Sequence, residues 1–147
     1  MTLIIADKTR IKSDVAYQVE EERGASRTRS CLLNKDSRVE AQILWFQDGQ
    51  PIDLSVSSRS LLNQNQTLKF NRLQTIVDQG LFKCKVTSVA GDDTRTYNIT
   101  IIEVPRKPEV KAVLASLPRA INVTWKEPYD GNRRITAYNI RYKVDGT

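Results

Sequence analysis

A chain of 147 residues, 39% hydrophobic and 27% charged, has room for one ordinary domain, or for a small domain plus part of another, and too much apolar material for wholesale disorder. Its net charge of +6 comes from 23 Lys and Arg against 17 Asp and Glu, but the basic runs ("SRTRS", "PRKP", "NRRI") are short and lie in no nucleic-acid-binding motif, so they read as solvated surface. There is no histidine, hence neither the commonest general base nor the commonest metal ligand, and no phosphate-loop, dinucleotide or nucleophile-elbow pattern; neither an enzyme nor a cofactor is expected.

In chain order, the start "MTLIIADKTR" has only a short apolar run before Asp7 and Lys8 and does not read as a secretory signal. No apolar run approaches the ~20 residues of a membrane-spanning helix. The chain is therefore either intracellular or an excerpt of a longer secreted one. Beyond it, short β-branched and aromatic runs are separated by turn signals at Gly24, "QDGQP", "DQG", "AGDD" and "YDGN", the pattern of an all-β sandwich.

Around Cys31, alternation places Arg27 and Arg29 on the cysteine's own face, where apolar residues are expected; either a bulge turns them out or the register shifts. In the next strand Leu44 and Phe46 flank Trp45 and so point to the opposite side of the sheet. They read as a contact patch for a partner or neighbouring domain, or as residues covered by an edge strand or loop, since single exposed apolar side chains are normal. In "DQGLFKCKVTSVAG", Phe82, Cys84 and Val86 share one face and Lys83, Lys85 and Thr87 the other. Gly80 allows a tight entry into that strand, and Asp78 is placed to bond a neighbouring turn or basic side chain.

Tyr97, Ile99 and Ile101 then alternate with Thr96, Asn98 and Thr100. "IEVPRKPEV" reads as a joint, because Pro105 and Pro108 donate no backbone hydrogen bond and hold the chain extended. It divides the chain into residues 1–104 and 105–147. After it, Ile121, Val123 and Trp125 alternate with Asn122 and Thr124. The two cysteines, Cys31 and Cys84, lie 53 positions apart in neither redox-motif nor zinc-ligand spacing, so no metal site is expected.

The order Cys31, Trp45, "DQGLF", Cys84 resembles the Cys…Trp…Cys core of the immunoglobulin sandwich, and "KVTSVAGDDTRTYNITI" resembles the F–G turn and G strand of its intermediate set. The resemblance implies a Cys31–Cys84 disulfide joining the two sheets, with the Trp45 indole against the sulfurs. Such a closure restricts the unfolded chain by about 4 kcal/mol on the chain-entropy model. Phe82 would be a core residue standing where the family usually has its corner tyrosine. "INVTWKEPYDGNRRITAYNIRYKVDG" resembles the start of a fibronectin type III domain. Trp125 would be its core indole, and Tyr138, Ile140 and Tyr142 the inward face of its third strand. That module needs ~90 residues to close two sheets, so the second domain reads as truncated, with Trp125 and Tyr138 poorly covered.

"GDDTR", "IIEVPRKP" and "WKEPYDGNRRITAYNIRY" are most similar to the sidekick family, at the join of its last immunoglobulin and first fibronectin type III domains. Dscam-like and contactin-like proteins are close competitors. The resemblance implies a non-catalytic ectodomain segment of a single-pass receptor for homophilic adhesion, extracellular on the plasma membrane. The partner would be the same receptor on an apposed cell, with no nucleic acid and with membrane attachment only through a parent segment absent here. This segment would act mainly as a spacer. The alternatives are an intracellular scaffold module of the titin kind, with reduced cysteines, and a polyanion binder whose affinity falls steeply with salt. Three acceptor sequons bear on the compartment: Asn65-Gln-Thr, Asn98-Ile-Thr and Asn122-Val-Thr. Asn98 and Asn122 are expected on outward faces and Asn65 in a polar turn, where glycans could be borne.

Overall fold

The computed structural model describes residues 5–12, 17–56 and 58–144. The chain forms two compact units, Met1–Ile102 and Glu103–Thr147. Among the described residues the first carries ten strands: β1 (Arg10–Ile11), β2 (Gln18–Glu22), β3 (Arg27–Ser30), β4 (Leu33–Asn34), β5 (Ala41–Gln47), β6 (Gln50–Pro51), β7 (Arg59–Leu62), β8 (Thr67–Phe70), β9 (Gly80–Ser88) and β10 (Gly91–Ile102). They build a five-stranded sheet in the order β2-β10-β9-β5-β6, a three-stranded sheet β3-β8-β7, and a short pair β1-β4. The parallel pairing is β2 with β10; β9 pairs antiparallel with both β10 and β5.

The period-2 alternation of β9 and β10 decides which residues enter the core. Phe82, Cys84 and Val86 from β9, and Tyr97, Ile99 and Ile101 from β10, are all buried, together with Ile43 and Trp45 of β5 and Leu68 and Phe70 of β8. Each buried side chain of this size contributes roughly 1.5–3 kcal/mol relative to exposure. The aromatic rings meet in preferred arrangements: Phe70 and Phe82 edge to face with centroids 5.4 Å apart, Trp45 and Tyr97 stacked at 6.4 Å. With Phe82 lacking a hydroxyl, Tyr97 supplies one elsewhere, its Oη donating to the Ser30 carbonyl at 2.5 Å. That bond ties β10 in one sheet to β3 in the other.

The arginines of β3 need neither a bulge nor a shifted register. The ladder runs without interruption from Arg27↔Phe70 to Ser30↔Thr67, and Arg29, opposite Leu68, is only 9% exposed. Its charge is met from the other sheet: Glu21 of β2 accepts from the Arg29 guanidinium through Oε1 and from Arg27 Nε through Oε2 at 2.7 Å. β3 is an edge strand, so the site stands where the sandwich opens, and a carboxylate rather than apolar side chains closes it.

Gly80 opens β9 at φ 121°, a left-handed value that L side chains rarely adopt, and a Cβ there would stand 2.6 Å from Asp48 Oδ1. That oxygen already accepts from the Leu81 amide at 2.9 Å. Gly80→Ala is therefore expected to cost about 1–3 kcal/mol, combining backbone strain with a displaced hydrogen bond. Urea denaturation reads this as a lower midpoint at unchanged slope; an unchanged midpoint would contradict the geometry.

The second unit contains a hairpin of β11 (Glu109–Leu117) and β12 (Ala120–Lys126), with register shifts between Val110 and Ala112 and between Ala115 and Leu117. Its proline-bearing start is pinned to the turn that follows the hairpin. The Glu103 amide donates to the Gly131 carbonyl at 3.1 Å and the Arg106 amide to the Tyr129 carbonyl at 3.0 Å, while the Arg106 guanidinium lies 5.4 Å from the Tyr129 ring centre. The third strand expected through Tyr138, Ile140 and Tyr142 is not formed: residues 127–144 pair with no ladder, and Ile140 and Tyr142 are 61% and 88% exposed. A lone hairpin offers too little apolar cover to hold a further strand. Trp125 is half-buried, its indole 5.1 Å from the Tyr138 ring.

Candidate interaction surface

The centre of the sandwich is built for rigidity. Cys31 and Cys84, both buried, form a disulfide with Cα atoms 6.3 Å apart. Trp45 lies directly opposite Cys84 in the β5–β9 ladder, and its indole Nε1 donates to the Asn65 carbonyl at 2.8 Å. The indole so fixes the β7–β8 turn, in which Asn63, Gln64 and Asn65 all have positive φ.

Below this layer lies a buried ion pair. Arg59 Nε donates to Asp78 Oδ1 at 2.9 Å, with both side chains fully buried. Arg59 also donates to Gln47 Oε1 at 2.8 Å and to the Val77 carbonyl, and its guanidinium lies 5.5 Å from the Phe82 ring centre. Asp78 Oδ2 accepts from the Gln74 amide at 2.7 Å. The bonding role expected of Asp78 thus falls to a basic partner, Arg59, from "SSRSLL", which nothing in its local pattern marks as buried.

The carboxylates with displaced titration build turns. Arg38, hydrogen-bonded through its side chain and its amide, holds the Asp36 carboxyl well below the usual carboxylate range. The Ser55 hydroxyl and amide lower Asp53 in the same sense. Asp36 is half-buried and Asp53 exposed, and each bonds within its own loop.

The outer face of the five-stranded sheet is a regular surface of the first unit. Strand register lays it out in rows: Asn98 beside Leu81; Thr96, Lys83 and Phe46; Thr94, Lys85 and Leu44. Leu44 is 48% exposed and Leu81 41%, and no element among the described residues covers them. Phe46 is half-buried, with Lys83 Nζ 5.3 Å from its ring centre. Leu81 belongs to the same strip, and its signal in the sequence was its place one step out of phase with Phe82.

Phe46→Ser is expected to leave the sandwich folded, with a loss below about 1 kcal/mol, because the ring contributes a partly exposed cation–π contact rather than core packing. Thermal unfolding would check it; a loss as large as that of a core aromatic would place Phe46 inside.

The sequon residues are spread over both units. Asn65 is exposed in its left-handed turn, while Thr67 of that sequon is buried. Asn98 is half-buried on the outer face, and its Nδ2 donates to Gln18 Oε1 at 3.2 Å. Asn122 and Thr124 are exposed on β12.

Comparison with known proteins follows the same lines. No family model matches the chain. It is 33% identical to sidekick-2 of Gallus gallus over 140 residues, 94% of this chain and 6% of that protein. It is 29% identical to the cell adhesion molecule Dscam1 of Drosophila melanogaster over 108 residues, 69% of this chain and 5% of that protein. The chain thus spans a small fraction of these relatives' length. Among solved structures it is similar to immunoglobulin domains 1–5 of sidekick-1, with a TM-score of 0.58 at 13% identity over 74% of this chain and 22% of that one. It is also similar to titin domain M7, with a TM-score of 0.54 at 19% identity over 68% of this chain and 99% of that one. These structural likenesses agree in one respect, an all-β sandwich of the immunoglobulin type.

Proposed function

Because this chain is a sidekick-like chain of the immunoglobulin superfamily, we propose that it is a non-catalytic segment of a cell-surface adhesion receptor's ectodomain, an immunoglobulin domain of residues 1–104 running into the first part of a fibronectin type III domain of residues 105–147. The observation that carries the reading is the match to sidekick-2 across nearly the whole chain, and the relative named a cell adhesion molecule supports it. A buried disulfide across the core suits an oxidising compartment. Function of this kind resides in surfaces and spacing. The sandwich commits Glu21 and Asp78 to ion pairs and Asp36 and Asp53 to turns, and it presents the outer face of its five-stranded sheet. Within a receptor that binds the same receptor on an apposed cell, this segment acts as a spacer that sets reach.

The test is to secrete the chain from eukaryotic cells behind a foreign signal, measure its mass before and after reduction, and coat beads with it. A Cys31–Cys84 bond is expected, with beads that stay dispersed, as suits a spacer. Bead aggregation would make this segment an adhesive contact in its own right. Efficient secretion with free thiols would replace the receptor reading with the intracellular titin-like scaffold.

A further inference from the structure

We propose that Asn98 carries an N-linked glycan whose first sugar rings lie on the apolar strip of the outer sheet face, over Leu81 and toward Phe46. The proposal rests on the extracellular reading above and deepens it by assigning what covers that face. Three observations lead to it.

First, Asn98-Ile99-Thr100 is an acceptor sequon. Asn98 and Thr100 fall on the outer side of β10, while Ile99 between them is buried. Second, the residue directly opposite Asn98 in the ladder is Leu81, a 41% exposed apolar side chain that no element among the described residues covers. Neighbouring strands are about 4.8 Å apart and alternate residues about 6.8 Å along a strand. Leu81 is thus in immediate reach of a sugar on Asn98. Phe46, two strands over and one row along, stands about 12 Å away, within the span of the first two rings. Third, the hydrogen bond of Asn98 Nδ2 to Gln18 Oε1 survives the modification, because a glycosylated amide keeps one N–H to donate.

Asn65 has no such bed, standing in a polar turn whose carbonyl is engaged by Trp45. The apolar residue beside Asn122 is Leu114, 63% exposed but outside the outer sheet face and its strip, on a hairpin of the other unit.

The chemistry balances without an oxidant or reductant. The donor is an oligosaccharide linked to a lipid pyrophosphate. Asn98 Nδ2 forms a bond to the sugar C1 as the C1–oxygen bond to the pyrophosphate breaks. The lipid pyrophosphate leaves with the bonding electrons, and the proton lost from Nδ2 passes to a base of the transferring enzyme. The less polar face of the first sugar then meets Leu81, a contact of the size found between a ring and an apolar neighbour.

The experiment secretes the full chain from eukaryotic cells, maps occupancy of the three sequons by peptide mass, and compares thermal unfolding before and after enzymatic removal of the sugar. The expected result is an oxidised Cys31–Cys84 pair and sugar on Asn98. Removal should lower the midpoint by roughly 3 °C, and by clearly less in Leu81→Ser. Thr100→Val, which destroys the sequon but keeps the Asn98 side chain, should lack the sugar at Asn98 and show the lower midpoint from the start. An oxidised, secreted chain with sugar on Asn65 or Asn122 and a bare Asn98 would overturn the proposal and leave the extracellular reading intact. Occupancy of Asn98 with equal sugar-dependent shifts in wild type and Leu81→Ser would overturn the covering of the strip. Free thiols and three bare sequons would overturn both.

Discussion

Replacing Asp78 with Asn lowers the stability of the first unit by about 3–5 kcal/mol, the loss expected when one partner of a buried ion pair is removed and the other stays charged. The substitution changes almost no volume, so the effect is electrostatic. Arg59 is left in the core with a full positive charge, its side chain inaccessible to water. The neutral bonds to Gln47 and to the Val77 carbonyl do not replace the lost countercharge. The companion experiment is the double variant Arg59→Met with Asp78→Asn, which removes the stranded charge. It should be more stable than Asp78→Asn alone, a coupling that a double-mutant cycle in urea isolates. A loss under about 1 kcal/mol for Asp78→Asn would mean that water reaches the guanidinium.

Removing the disulfide ranks next. Cys31 and Cys84 close a loop with a sequence separation of 53 residues, and on the chain-entropy model opening it costs about 4 kcal/mol. The double variant Cys31→Ala with Cys84→Ala should lose at least that, because two buried side chains also shrink against Trp45. Denaturant midpoints of the oxidised protein, the reduced protein and the double variant give the comparison. The double variant should fall somewhat below the reduced protein, because it adds the loss of two buried sulfurs to an unconstrained unfolded chain. A reduced protein as stable as the oxidised one would show that the sandwich does not depend on the bond.

Much of this architecture could be read from periodicity. β9 and β10 each carry three consecutive inward apolar residues between polar ones, and both form as read, because a two-sided strand leaves one register that buries its apolar face. What escaped the sequence involves partners far apart in it. Arg59 looks like any surface arginine in "SSRSLL"; only folding brings it to Asp78, nineteen residues on. Glu21 sits in an acidic run that suggests a solvated turn, yet the parallel pairing of β2 with β10 carries it to the arginines of β3. Tyr138, Ile140 and Tyr142 show the converse. Their alternation is strand-like, but alternation makes a strand only where another sheet receives the buried side. On the outer face the strip was only partly visible: Leu44 and Phe46 stood out beside Trp45, whereas Leu81, one step out of phase with Phe82, precedes the Lys83, Lys85 and Thr87 that mark that face as polar.

The parallel pairing of β2 with β10 also bears on how the first unit responds to load. Gln18 begins β2 and Ile102 ends β10, and the two strands run side by side from Asn98↔Gln18 to Ile102↔Glu22. Tension that pulls the preceding chain one way and the following chain the other draws these strands past each other along their common axis. All the hydrogen bonds between them are then loaded at once. An antiparallel pair gripped at neighbouring ends would instead peel open one bond at a time. Along this pair the first unit is therefore loaded in shear rather than by peeling.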